Sequence, residues 1–256
     1  MKPLYIVLVS VHGLIRGRDL ELGRDADTGG QTLYVVELAR ALAELPEVAR
    51  VDLMTRRVVD PQLDSAYAEP IEALGPKARI VRIDAGPDGY LRKEELWDHL
   101  DSFADNALAF LRTEGLSPDI VHSHYADAGY VGTRLANLLG VPLVHTGHSL
   151  GRVKRRRLIA SGVKRDAIET RYNMARRVEA EELTLGSASL VIASTANEIE
   201  EQYGLYDHYQ PEQMRVIPPG TDLKRCMPPD GSEQHAPIAA EVALFLSDPA
   251  KPMILA

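Results

Sequence analysis

Apolar residues fall along the chain in short continuous runs, separated by longer segments of helical period. The runs are LYIVLVS at 4–10, VDLMTR at 51–56, RIVRI at 79–83, DIVHSH at 119–124, PLVHTGH at 142–148, SLVIAST at 189–195 and RVIPPG at 215–220. Because they are continuous rather than alternating, they predict parallel strands covered on both faces. After the first run, Val35, Leu38, Ala39, Leu42 and Leu45 share one stripe while Glu37, Arg40 and Glu44 face the other way, which predicts an amphipathic helix. Longer helices are expected over 94–114 and 164–185. Strand and helix in alternation predict an α/β fold, a doubly wound, Rossmann-like parallel sheet with its ligands in the crevice beyond the carboxyl ends of the strands.

Composition sets the limits of that reading. The 256 residues are 45% hydrophobic, enough for a large core, and no run is long and apolar enough to span a membrane. The start lacks the small-residue cleavage pattern of an export signal, and the single cysteine, Cys226, fits a reducing compartment, so a cytoplasmic protein is expected. Net charge is −8, yet Arg152 to Arg177 holds ten Lys/Arg against two acids. No aromatics interleave its RVKRRR run and the net charge is negative, so it does not read as a nucleic-acid surface. The segment 218–237, PPGTDLKRCMPPDGSEQHAP, has linker composition, and the strand-like KPMILA follows it. The division expected is a domain over 1–225, a linker over 226–250 and the start of a further domain at 251–256.

Four stretches carry chemistry. In GRDADTGGQT (23–32), Gly29 and Gly30 open the first helix after the first strand; they tolerate positive φ and leave backbone N–H groups free to meet an anion, or they make a plain turn. Neither the dinucleotide fingerprint nor the P-loop pattern matches. In HSHYAD (122–127), Asp127 reads as the N-cap of the next helix. A metal site is not expected there, His122 and His124 being read as pointing to opposite faces of their strand. GHSLG (147–151) satisfies the nucleophile-elbow pattern, but the RVKRRR that follows is a poor start for a helix, which counts against a serine hydrolase. The run Arg152, Lys154, Arg155, Arg156 and Arg157, joined by Arg171, Arg176 and Arg177, suits a phosphorylated small molecule if part of it faces the crevice.

GRDADTGGQTLYVVELARAL resembles the N-terminal loop and helix of the sucrose-phosphate synthases and related sucrose synthases, retaining glycosyltransferases of the two-domain GT-B architecture. The resemblance continues in the family's order through YLRKEELWDHL, PDIVHSHYADAGYVG, LVHTGHSLGRVKRRRL, RYNMARRVEAEELTL, VIASTANEI and VIPPGTD. It implies transfer of glucose from UDP-glucose, in some members ADP-glucose, to the 2-hydroxyl of fructose 6-phosphate, giving sucrose 6-phosphate with retention. It implies donor diphosphate at Gly29 and Gly30, and His148 near the anomeric carbon. Acceptor contacts are implied at Gln31, Lys93, Tyr125, Asp127 and Ser149, with the acceptor phosphate on Lys154, Arg177 and Arg176. No metal or other cofactor is implied, since the leaving diphosphate itself helps deprotonate the acceptor while the protein positions it.

GHSLGRVK is more similar to the sucrose-phosphate synthases than to the sucrose synthases, whose equivalent loop lacks the basic pairing. The partner implied is a C-terminal GT-B domain that holds the nucleotide, so the chain without it is expected to turn over poorly. Two alternatives stay open: a sucrose synthase-like enzyme using free fructose, and a non-catalytic sugar-phosphate-binding module.

Overall fold

A computed structural model describes residues 2–223, 237–245 and 248. The chain divides into two compact units, Met1–Pro218 and Pro219–Ala256. In chain order the first contains β1 (Leu4–Val9), α1 (Gly30–Glu44), β2 (Val48–Arg56), β3 (Ile71–Ala73), β4 (Ala78–Ile83), α2 (Leu100–Thr113), β5 (Ile120–His124) and α3 (Tyr125–Leu139). It continues with β6 (Leu143–Thr146), α4 (Gly151–Ala160), α5 (Arg165–Tyr172), α6 (Met174–Ser187), β7 (Leu190–Ala193) and β8 (Met214–Val216). In the second unit, the described helix is α7 (Pro237–Ala243). Most of the expected linker, and the further domain expected at 251–256, lie outside the described residues.

The strands form one sheet in the order β3-β4-β2-β1-β5-β6-β7-β8. Every pair is parallel except β3 with β4. The continuous apolar runs are explained by cover on both faces: Tyr5, Val7 and Val9 of β1 join the core beneath α2, α3 and α6, while Ile6 and Leu8 pack against Val35, Val36 and Ala39 of α1. The chain reverses direction of winding between β1 and β5, which are neighbours in space. The loops leaving those two strands therefore diverge, and the crevice opens at their carboxyl ends.

Several expected elements differ in the structure. The antiparallel edge strand β3 escapes the pattern because it is three residues long and half exposed. The helix expected from 94 starts at Leu100 instead, after a short 3-10 turn over Leu96–His99. The Glu94 carbonyl accepts from Asn173 Nδ2 (2.9 Å) rather than from a helical N–H. The expected 164–185 helix is two helices, α5 and α6, broken at Asn173, whose φ of +46° is a left-handed conformation that asparagine tolerates better than most residues. RVKRRR, read as a poor helix start, lies inside α4. The physical reason is a carboxylate from α6, described below.

Close packing of α3 on α6 fixes the floor of the crevice. A Cβ at Gly129 would stand 2.6 Å from Thr184 Oγ1 and 3.2 Å from His145 Cε1. Thr184 cannot swing away cheaply, since its hydroxyl donates to the Ala180 carbonyl (2.7 Å). Overpacking costs about 1–3 kcal/mol, more than the tenths of a kcal/mol gained in helix propensity when valine replaces glycine. Gly129→Val should therefore lower the free energy of unfolding by about 2 kcal/mol in urea titrations; an unchanged midpoint would show that the two helices can separate freely.

Candidate active site at the β1–β5 crevice

The site is built on one buried carboxylate. Glu181 on α6 is 2% exposed and accepts from Gly151 N at 2.9 and 3.0 Å, from Arg177 Nε at 2.9 Å and from Tyr206 Oη at 2.5 Å. Tyr206 Oη also accepts from Arg152 N (3.1 Å). Together these groups cap the start of α4, supplying the negative charge that its own cationic first turn lacks. Gly151 is required there, because a Cβ would lie 2.7 Å from Glu181 Oε2.

Arg177 links this anchor to the crevice. Its Nη2 donates to the Ser149 carbonyl (2.6 Å), and its guanidinium lies 4.5 Å from the Tyr125 ring centroid. Burial works against the charge of Arg177, but Glu181 outweighs it and holds the pKa above the ordinary value. Across the opening, Lys154 Nζ stands 4.0 Å over the Tyr172 ring. Burial, then repulsion from Arg177 and Lys93, pulls the Lys154 pKa below its usual value. Lys93 is fixed by Asp27, which accepts both its Nζ and its backbone N–H (2.9 Å). Burial opposes the Asp27 charge, yet these Lys93 bonds keep its carboxyl below the usual range.

The loop 23–29 is held by its own acids. Asp25 accepts from Asp27 N (2.7 Å), Thr28 N (2.9 Å) and Tyr90 Oη (3.1 Å). Neither Gly29 nor Gly30 adopts positive φ: Gly29 is extended at φ −138° and Gly30 is helical. The expected use of left-handed freedom is thus corrected. What the pair contributes is absence of bulk, since a Cβ at either would meet nothing within 4 Å. In the first turn of α1, Thr32 N donates to the Gly29 carbonyl (3.0 Å), while the N–H groups of Gly30 and Gln31 lie at the positive end of the helix, where no carbonyl four residues back in the helix can accept them. Gln31 turns inward, its Nε2 donating to Ser10 Oγ (3.2 Å) and the His124 carbonyl (3.4 Å).

Beneath lies a cluster of histidines. His122 and His124 stand on the same face of β5, ring centroids 4.2 Å apart, as residues two apart on a strand must; the opposite-face reading is corrected. Among the described residues, no group of three or more His, Cys, Asp or Glu could hold a metal ion. His124 Nδ1 and His148 Nε2 are 3.1 Å apart, and the buried His124 Nε2 has no partner among the described residues. An orphaned donor costs more than an orphaned acceptor, which assigns the proton to His124 Nδ1, donating to His148.

The ends of β5 and β6 carry strained backbone, with φ of +78° at Tyr125 and +56° at His148. Packing holds both: the His12 ring is 4.6 Å from Tyr125, and Tyr34 meets His148 edge-on at 5.0 Å. Asp127 is not the N-cap of α3, a position taken by His124; it lies within the first turn and pairs with His12 Nδ1 at 2.6 Å. Asp127 therefore fixes the ring that packs on Tyr125. In GHSLG the strained residue is His148, whereas an elbow would strain the serine, and Ser149 Oγ lies 3.4 Å from Arg177 Nη2.

Of the residues read from the sequence, the structure gathers Gln31, Lys93, Tyr125, Asp127, His148, Ser149, Lys154 and Arg177 around the crevice, and Gly29 and Gly30 at its edge. Arg176 is elsewhere: its guanidinium binds Asp98 (2.5 Å) and the Trp97 carbonyl (2.9 Å). The sequence reading missed His12, Asp27, Tyr34 and Glu181. Asp27 alone carried a local signal, lying inside the glycine loop; the others are brought in by topology.

The family model for Glycosyltransferase Family 4 matches residues 28–225. A probable sucrose-phosphate synthase 1 from Oryza sativa subsp. indica is 45% identical, over 100% of this chain and 29% of its own length. A probable sucrose-phosphate synthase 2 from Arabidopsis thaliana is 42% identical, over 100% of this chain and 30% of its own. The chain thus spans less than a third of these curated relatives. A solved sucrose-phosphate synthase from Thermosynechococcus elongatus superposes with a TM-score of 0.71 at 29% identity, covering 95% of this chain and 53% of that one. Anabaena HepE in complex with UDP-glucose shares the fold, with a TM-score of 0.53 at 13% identity. Among the described residues no helix is long and apolar enough to cross a membrane.

Burial depresses His122 and His145 to a pKa of about 3 and His148 to about 4, and pushes His124 down as well. In the unfolded chain each titrates near 6.5, so below that pH the unfolded state binds protons that the folded state refuses. Stability should be full above about pH 6.5 and fall continuously toward pH 4, each histidine contributing up to about 1.4 kcal/mol per pH unit. Urea midpoints at pH 7, 5.5 and 4.5 check this, and His145→Gln should flatten the slope by about one proton. A flat profile would mean that the histidines are wet.

Proposed function

The chain belongs to Glycosyltransferase Family 4, and on that footing we propose that it is the acceptor-binding half of a sucrose-phosphate synthase, transferring glucose from UDP-glucose to fructose 6-phosphate with retention. The observation that carries the reading is the convergence of Lys154, Arg177 and Lys93 on the crevice, where burial first, and then its cationic neighbours, depress Lys154. Such a cluster is relieved by an anion, and a sugar phosphate brings one where free fructose does not.

The sugar ring would lie against Gln31, Tyr125 and Ser149, its phosphate reaching Lys154. Arg177 supports from beneath, holding the Ser149 loop while lending positive potential. The donor diphosphate would meet the open N-terminus of α1 at Gly29 and Gly30, where backbone dipoles favour negative charge without needing to reorganise. His148, at the end of β6, would stand where the sugars meet. Held neutral by burial, it can take part in hydrogen bonds there without repelling the developing positive charge of an oxocarbenium-like centre. Nucleotide recognition and the remaining charge on the leaving group would come from a second GT-B domain.

Calorimetric titration of the chain with fructose 6-phosphate and with fructose tests this. The phosphorylated sugar should bind at least tenfold more tightly, and Lys154→Ala should erase most of the difference. Equal affinity for both sugars would overturn the assignment in favour of an enzyme using free fructose.

A further inference from the structure

The charge run of α4 has two faces. Lys154 belongs to the crevice, but positions 152, 155, 156 and 159 recur at i, i+3, i+4 and i+7 and share another side of the helix. That side borders a cavity of about 630 Å³, completed by Arg165, Ile168 and Glu169 of α5 and by Leu205. Small-molecule sites range over about 300–1,000 Å³.

The arginines around it are not equivalent. Arg152 is engaged, its Nη2 donating to Glu182 (2.5 Å) and Asp207 (2.8 Å). Arg155, Arg156 and Arg165 have no carboxylate or carbonyl partner among the described residues. The one acid of the lining, Glu169, is occupied by Ala175 N (2.8 Å). Many arginines elsewhere pair with acids, as at Arg79 with Asp52 and Arg82 with Glu72; of those that do not among the described residues, Arg18, Arg112, Arg157 and Arg171 stand outside the lining of this cavity. Three guanidiniums without an ion pair among the described residues thus border one hollow whose lining holds a single carboxylate, a local excess of positive charge in a chain of net charge −8. A single exposed arginine is a solvated surface; three bordering an apolar floor of Ile159, Ile168 and Leu205 are built to receive something.

We propose that this cavity is a second binding site, distinct from the crevice, for a phosphorylated small molecule bearing two or more negative charges. Planar guanidinium forks match phosphate oxygens in pairs, and two or three of them can hold one phosphoryl group from several sides. The apolar floor would carry the organic part of the ligand. The site needs no contact with Lys154, and it stands whether or not the crevice binds fructose 6-phosphate.

Inorganic pyrophosphate, titrated into the chain by calorimetry at low ionic strength, is the probe. It should bind, and the variant Arg155→Gln/Arg156→Gln/Arg165→Gln, checked for an unchanged circular dichroism spectrum, should bind at least tenfold more weakly. Lys154→Gln should leave the affinity within twofold of the parent. Absence of binding to the parent chain, or an unaltered affinity in the triple variant, would overturn the proposal. So would abolition by Lys154→Gln, which would put the anion in the crevice.

Discussion

A carboxylate with almost no access to water must either be neutralised or be held by several donors, and Glu181 is held by four bonds from three groups. Much of the crevice follows from that single requirement. The N–H of Gly151 is drawn to the carboxylate, which starts α4 and so determines where Lys154 points. Arg177 is kept charged beneath the Ser149 loop, and Tyr206 ties in the segment after β7. Removing one partner from such a group typically costs about 3–5 kcal/mol, because the other is left charged and dry. The same interaction thus stabilises the fold and orients the cation that the site uses.

It also marks the boundary of what could be read in the chain. The seven strands with continuous apolar runs and the stripe of α1 were legible because burial on both faces, or on one, writes itself into local composition. The break at Asn173 was not, since a left-handed asparagine costs little and leaves no gap in the helical period. Nor was the start of α4: a cationic first turn argues against a helix only while its counter-charge is unknown, and Glu181 lies thirty residues on. Most crevice residues lie at strand ends or in the loops after them, and motif reading found those. Of the residues that hold them in place, Asp27 lies inside the glycine loop, whereas His12 under Tyr125 becomes visible only when β1 is set next to β5.

The histidines raise a different question, why a site that gathers positive charge at its mouth should have so many basic rings beneath it. Their burial answers it. Two unit charges about 6 Å apart repel by about 3 kcal/mol at an effective dielectric of 20, so a single imidazolium under the rim would oppose Lys154 and Arg177 strongly. Kept neutral, the rings instead act as a stiff polar lattice, His122 to Thr146 at 2.9 Å and Ser123 to His145 at 2.9 Å, which holds the ends of β5 and β6 in register. The strained backbone at Tyr125 and His148 sits directly on that lattice.

Charge in this molecule is therefore sorted by depth and by helix face rather than spread by composition. The histidine cluster under the crevice is neutral and hydrogen-bonded, while cations line the crevice, Lys93 and the buried Arg177 already satisfied by carboxylates and Lys154 left over an aromatic ring. An anion arriving there displaces no salt bridge of Lys154, so the attraction is not offset by a broken pair. The opposite side of α4 carries Arg155 and Arg156, which have no carboxylate partner among the described residues, on a helix whose first turn was made possible by a buried glutamate. One short basic run thus serves two surfaces because the 100° turn between successive residues separates them.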